Sequence, residues 1–134
     1  MFANLNYIAI GVSTLVYFII GALWYSLLFG KEWMKLVGLT PTPEDKKNMP
    51  KIFSITFILN FIICLSTAAV IYFVQPVSII AAIKTAILVS AFVCACGVMN
   101  YMYAKRPLKL MLIDMGYHVF GIIIISIILT YWHK

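Results

Sequence analysis

The sequence contains few charged residues. Of its 134 residues, 10 are Lys or Arg and 4 are Asp or Glu, so that 10% are charged, whereas 64% are hydrophobic. A soluble domain of this length carries charge on roughly a quarter of its residues and is about half apolar. So little polar material cannot cover the surface of a water-soluble globule. The composition therefore excludes an ordinary soluble domain, a disordered chain and a disulfide-stapled secreted domain, and it indicates a small membrane protein.

Charge is entirely absent from four long stretches, residues 1–30, 52–83, 85–104 and 115–133. Each is long enough for the roughly 20 apolar residues that cross a bilayer as a helix. Pro76 disfavours helix just before it, so we place a turn at residues 75–78. We predict an all-α protein with one domain, residues 1–134, folded as an up-down bundle of four transmembrane helices at about 5–29, 52–74, 77–103 and 108–132.

The basic residues are concentrated on one side of this predicted bundle. The 30–51 loop and the turn before the last helix, up to Lys109, contain eight Lys or Arg, whereas Lys84 and Lys134 are the two on the other side. The positive-inside rule places the loop and this turn in the cytoplasm and both termini outside. This topology accounts for the net charge of +6, so we expect the lipid bilayer as the partner and no nucleic acid.

The long loop contains local helix signals. Residues 31–37 read as a short amphipathic helix along the cytoplasmic surface, with Trp33 dipping inward. Thr42 as N-cap and Pro43 at the first helical position predict a second helix, which we expect to end by Pro50. Near the same interface, an aromatic belt is expected from Trp24, Tyr25, Trp33, Tyr101 and Tyr103.

Two parts of the sequence resemble a known family. Residues 21–26 (GALWYS), 28–31 (LFGK) and 33–34 (WM) are similar to the opening of the membrane proteins classed as domain of unknown function 1761. Residues 106–110 (RPLKL) and 113–118 (IDMGYH) resemble the last helix of that family. The two motifs occur in the right order and at the right distance.

The resemblance covers the whole chain in length and in its four-helix layout. At Leu27 the chain departs from the proline that the family's WYSP-type pattern carries. The resemblance implies a multi-pass protein of a bacterial-type inner membrane. It implies no activity, because the family has none assigned.

Ionisable residues inside a membrane span are costly and are functional candidates by default. Lys84 is expected to extend its long side chain outward to water. Asp114 lies about 9 Å into the last helix, and His118 lies one turn deeper on the same face. A carboxylate beside an imidazole can orient it or share a proton with it. The alternative is structural, with Asp114 near the helix dipole and Lys109 or Arg106.

Other polar side chains reach similar depths and could complete a polar pocket that opens to the cytoplasm. Its candidate residues are Tyr25, Asn60, Asn100, Asp114 and His118. The alternative is that the Asn and Tyr side chains only hold the helices together. The three cysteines are predicted to be buried hydrophobes. No nucleotide, metal or hydrolase motif is present, so we expect no metal and no cofactor.

Small residues recur at four-residue steps along the third predicted helix and allow another helix to approach closely. This helix-packing face consists of Ala82, Ala86, Ser90 and Cys94. It serves packing either within the four-helix unit or between copies. Because four helices enclose little volume, we expect a homo-oligomer.

Two functions are consistent with these features. The first is an assembly or scaffold subunit that is not an enzyme and forms oligomers. The alternative is a small proton- or cation-responsive transporter or channel that uses Asp114 and His118 and takes a small solute or ion. An intramembrane enzyme has the least support, because no nucleophile or metal set accompanies the two residues.

Overall fold

The computed structural model describes residues 2–132, and every regular element in this part of the chain is helical. A 3₁₀ turn at Phe2–Asn4 precedes five α-helices. These are α1 (Tyr7–Leu23), α2 (Gly30–Val37), α3 (Pro43–Val74), α4 (Ile79–Tyr103) and α5 (Leu108–Tyr131). Four of them are long and apolar enough to cross a bilayer, with α1 extended to Leu28. The prediction of an all-α bundle with four spanning helices is therefore confirmed.

A π-helical turn at Trp24–Leu28 extends α1. It closes with a hydrogen bond of 2.9 Å from Phe29 N to the Trp24 carbonyl. Gly30 follows, where an added Cβ would lie 2.7 Å from the Tyr25 carbonyl oxygen, so only glycine fits the backbone at this point. The helix is thus deformed here although residue 27 is Leu and not Pro. Such turns shift the register of side chains around a helix.

The predicted helix end at Pro50 is wrong, because α3 runs without interruption through this residue. Its start is as expected, since Thr42 and Asp45 form a reciprocal capping box, and Pro43 lies between them at the first helical position. Pro50 removes one backbone donor, which would otherwise pair with the carbonyl of Lys46. Lys46 is exposed, and solvent-side carbonyls of a helix tilt outward toward water. Much of the predicted 30–51 loop is therefore helical.

Helix α5 lies at the centre of the bundle. It contacts α1, α2, α3 and α4, whereas α4 packs mainly on α5 and touches α3 only slightly. The core is consequently built by α1, α3 and α5, and α4 is attached along one side. The largest fully buried apolar side chains of that core are Tyr17, Ile10, Ile71, Ile122, Ile125 and Leu129.

Hydrogen bonds join the two ends of the described chain. Asn6 Nδ2 donates to the Trp132 carbonyl at 2.9 Å, and Asn4 Nδ2 donates to the Tyr72 hydroxyl at 3.2 Å. The start of α1 therefore lies beside the ends of α3 and α5, at what we call the terminal end. At the opposite end, called the loop end, Lys109 of α5 pairs with Glu32 of α2 at 2.8 Å.

The small-residue face of α4 packs within the chain. Ala82 and Ala86 are fully buried, Ser90 is almost so, and Cys94 is half-buried. Because α5 is the principal neighbour of α4, the small residues bring these two helices together. Contacts with another copy would have to use a different surface of α4.

Candidate functional site

Asp114 accepts hydrogen bonds from three aromatic side chains. Its Oδ1 accepts from the Tyr25 hydroxyl at 2.7 Å and from Trp33 Nε1 at 3.1 Å, and its Oδ2 accepts from the Tyr101 hydroxyl. The donors belong to the π turn after α1, to α2 and to α4. One carboxylate therefore ties three separate segments to α5. We call these four residues the Asp114 clamp.

The π turn lets two consecutive aromatic residues reach α5 together. Trp24 Nε1 donates to the Ile113 carbonyl at 3.0 Å, next to the bond that joins Tyr25 to Asp114. The rings of Tyr25 and Trp33 also pack edge to face, with centroids 5.6 Å apart. The adjacent residues Trp24 and Tyr25 are thus bonded to the adjacent residues Ile113 and Asp114. These two bonds fix the end of α1 against α5.

Helix α2 folds back onto α5 through its amphipathic face. Trp33 reaches the Asp114 carboxylate, and Glu32 forms its ion pair with Lys109. The hydrogen bond from Lys109, together with its positive charge, lowers the pKa of Glu32 below its ordinary value. Helix α2 is therefore held on α5 by the hydrogen bond from Trp33 to Asp114 and by the ion pair between Glu32 and Lys109.

His118 has a different partner from Asp114. Its Nδ1 lies 2.8 Å from the Tyr17 hydroxyl, and the Tyr17 ring stacks on Tyr117 with centroids 5.1 Å apart. A Cβ on Gly121 would overlap the Tyr17 ring, so glycine makes room for this stack. Throughout the described residues, no hydrogen bond joins Asp114 to His118. The structure therefore places them in two adjacent polar clusters rather than in one bonded pair.

The two asparagines of the predicted pocket are separated. Asn60 of α3 is 4% exposed, and its side chain approaches the Tyr117 hydroxyl. Its Nδ2 has no hydrogen-bond partner of good geometry among residues 2–132. Asn100 of α4 is exposed. Of the five candidates, Tyr25 and Asn100 thus lie near Asp114, whereas Asn60 lies with His118 around the stacked tyrosines.

An open groove of about 330 Å³ lies beside the clamp at the loop end. It is formed between α2, α4 and α5, and Asp114 is part of its lining. The other polar and aromatic residues that line it are Trp33, Asn100, Tyr101 and Arg106. The groove therefore takes the place of the predicted pocket, with a partly different set of residues.

The cations expected beside Asp114 do not neutralise it. Lys109 pairs with Glu32 instead, and Arg106 lines the groove without an ion pair to any carboxylate in the described part of the chain. Neutral aromatic donors replace the expected cation because α2 and α4 bring their rings closer to the carboxylate than the turn brings Arg106. The carboxylate is thus hydrogen-bonded, but its charge has no opposite partner.

Sequence reasoning missed the roles of three aromatic residues. Trp33 and Tyr101 were expected only as members of an interfacial belt, and Tyr17 was not singled out. The signal that could have identified them was their depth in the membrane. Tyr and Trp carry a hydrogen-bond donor at the end of an apolar ring, and this donor usually finds an acceptor when the ring is buried. A carboxylate at the level of such a belt is a natural acceptor for them.

Comparison with known proteins bears on the family of this chain. No curated protein and no solved structure matches the chain significantly. The model of a family described as protein of unknown function (DUF1761) matches residues 8–130. This range includes the π turn, the Asp114 clamp and the groove, and it confirms the resemblance found in the two motifs. The chain therefore belongs to the DUF1761 family of proteins of unknown function.

Proposed function

We propose that this protein is a non-catalytic membrane subunit that assembles with copies of itself. The observation that supports a structural role is the Asp114 clamp, in which the one carboxylate within the last span holds the chain's own segments together. His118 is likewise bonded to Tyr17 of α1. Polar groups used in this way hold membrane helices in register, which suits an assembly subunit better than a proton carrier.

The energy of the clamp supports a static role for Asp114. A hydrogen bond between membrane helices contributes about 0.6 kcal/mol on average. A hydrogen bond to a charged group contributes about 1.5–3 kcal/mol. Three hydrogen bonds at the lower figure together contribute about 1.8 kcal/mol. A transport cycle that moved Asp114 would have to break them in each turnover.

The surface proposed for self-assembly is the outer side of α4. In its most apolar window, 22% of the residues of α4 are buried within the chain, compared with 39% for α5. Large apolar side chains such as Leu88 and Phe92 are 60% and 72% exposed. Because α4 has α5 as its one extensive neighbour, a second copy would provide the close packing that this helix lacks on its other side.

Counting subunits tests this proposal. Single-molecule photobleaching of the labelled protein, reconstituted at high dilution in lipid vesicles, should give more than one subunit per complex. Phe92→Ala should lower the count, whereas Leu15→Ala, on an exposed face of α1, should leave it unchanged. A wild-type protein that is a single copy at every lipid-to-protein ratio would contradict the proposal.

We also propose that the loop end faces the cytoplasm of a bacterial-type inner membrane, with both termini outside. The eight basic residues at that end, against two elsewhere, support this orientation. In a chain with its three native cysteines replaced, Asp45→Cys should react with an impermeant maleimide only after permeabilisation. Gln75→Cys, in the turn at the other end, should react in intact cells. The reverse pattern would overturn the orientation.

A small transporter or channel is the second candidate. One observation favours it, because Asp114 lines a groove that is open at the surface. Measurements of solute or ion flux distinguish the two candidates, because an assembly subunit does not catalyse such flux.

A further inference from the structure

The groove at the loop end contains an anion and a cation without charged partners. Asp114 and Arg106 both line it, yet neither forms an ion pair anywhere in residues 2–132. The three donors to Asp114 are neutral, so they stabilise its charge without cancelling it. A charge inside a membrane span without an opposite charge is costly. Asp114 lies about 9 Å into α5, so a ligand cation would offset that cost.

Asp114 has room for one further hydrogen bond. A carboxylate offers about four acceptor positions, of which Tyr25 and Trp33 occupy two on Oδ1 and Tyr101 occupies one on Oδ2. The remaining position is therefore on Oδ2, on a side chain that is only partly buried. The rings of Trp33 and Tyr101 border the same groove, and aromatic faces attract an ammonium group.

Arg106 provides the complementary half of the site. Its planar guanidinium suits a phosphate or carboxylate, which it can bind through two parallel hydrogen bonds. It lies in the turn between α4 and α5, beyond the ends of both helices, whereas Asp114 lies about 9 Å into α5. A ligand that meets both residues must therefore point its cation inward and its anion outward.

We propose that this groove binds a small zwitterion in which an ammonium group and an oxyanion are joined by a short linker. The ammonium binds Asp114 between the aromatic rings, and the oxyanion binds Arg106. Val37, Ala104 and Leu110 supply apolar lining for the linker. This orientation, with the cation inward and the anion outward, fits a soluble molecule that enters from water. It fits a lipid headgroup less well, because the phosphate of a lipid is attached to acyl chains that lie in the bilayer, so that its anion would point inward.

Binding of phosphoethanolamine and β-alanine to the purified protein in nonionic maltoside micelles tests the proposal by calorimetry. At least one of them should bind saturably, and ethanolamine or inorganic phosphate alone should bind at least tenfold more weakly. Arg106→Gln should weaken binding of the zwitterion at least tenfold. Lys105→Gln removes a neighbouring charge that does not line the groove, and it should leave the affinity unchanged.

The Arg106 variant is decisive because Asp114→Asn also disturbs the clamp, whereas the Arg106 side chain forms no ion pair in the described chain. Absence of saturable binding by both zwitterions, or wild-type affinity in Arg106→Gln, overturns the proposal. A second arm compares phosphatidylglycerol nanodiscs with and without phosphatidylethanolamine. If that lipid blocks the soluble probe in an Arg106-dependent manner, the same zwitterion chemistry is supplied by a lipid headgroup.

Discussion

The Asp114 clamp predicts an energetic coupling between Trp33 and Asp114. Trp33→Phe keeps a large aromatic ring but removes the Nε1 donor that lies 3.1 Å from Asp114 Oδ1. Asp114→Leu keeps a similar shape but removes both acceptor oxygens. If the hydrogen bond stabilises the fold, Trp33→Phe should destabilise the wild-type chain and have little effect when residue 114 is already Leu.

The size of this coupling follows from the chemistry of the bond. Hydrogen bonds between membrane helices average about 0.6 kcal/mol, whereas those to a charged acceptor contribute about 1.5–3 kcal/mol. Trp33 lies on α2 and is half-buried, so its bond should fall between these limits. We therefore expect a coupling free energy of about 1–2 kcal/mol.

The measurement is a double-mutant cycle on the free energy of unfolding in nonionic micelles. Trp24→Phe is the matched control, because Trp24 donates to the Ile113 carbonyl and not to the carboxylate. Because Trp24 lies beside Tyr25, its coupling to residue 114 is not zero, but it should be clearly smaller than that of Trp33→Phe. Additive effects of Trp33→Phe and Asp114→Leu would refute the clamp.

Two further predictions concern packing and charge. Gly121→Ala should cost about 1–3 kcal/mol of stability, because its Cβ would overlap the buried Tyr17 ring. Gly11→Ala, which has open space around it, should leave the melting temperature unchanged or slightly higher. Because Lys109 lowers the pKa of Glu32, the ion pair should stabilise α2 docking above about pH 4.3 and lose its effect as the pH falls through the lowered folded-state pKa. Glu32→Gln should therefore reduce hydrogen-exchange protection of α2 at pH 7, and its difference from the wild-type chain should shrink as the pH falls below about 4.3; equal protection at pH 7 would contradict this.

The spanning helices were predictable because the bilayer excludes charge, and the uncharged runs are visible in the sequence. The turn around Pro76 was predictable for a similarly local reason, since α3 ends at Val74 and α4 begins at Ile79. The helix end expected at Pro50 does not occur, because the local penalty of a proline does not by itself decide where a helix ends. In the exposed first turns of a capped helix, the carbonyl that it leaves unpaired is accessible to water.

The candidate site was predictable only in part. Depth along a helix placed Tyr25 and Asn100 near Asp114, but depth does not specify the direction in which a side chain points. Trp33 joined the clamp because α2 folds onto α5, and an amphipathic segment can equally lie flat on a membrane surface. The bond between His118 and Tyr17 depends on the close approach of α1 and α5 at Gly121, which is a contact between distant parts of the sequence.

Flux through reconstituted protein distinguishes an Asp114 that holds the fold from an Asp114 that carries ions. Wild-type protein and Asp114→Asn would be placed in vesicles containing a pH-sensitive dye, and proton and potassium gradients would be imposed. We predict that neither protein raises the flux above that of protein-free vesicles. A wild-type flux that Asp114→Asn abolishes, while its fold and subunit count remain unchanged, would contradict the account.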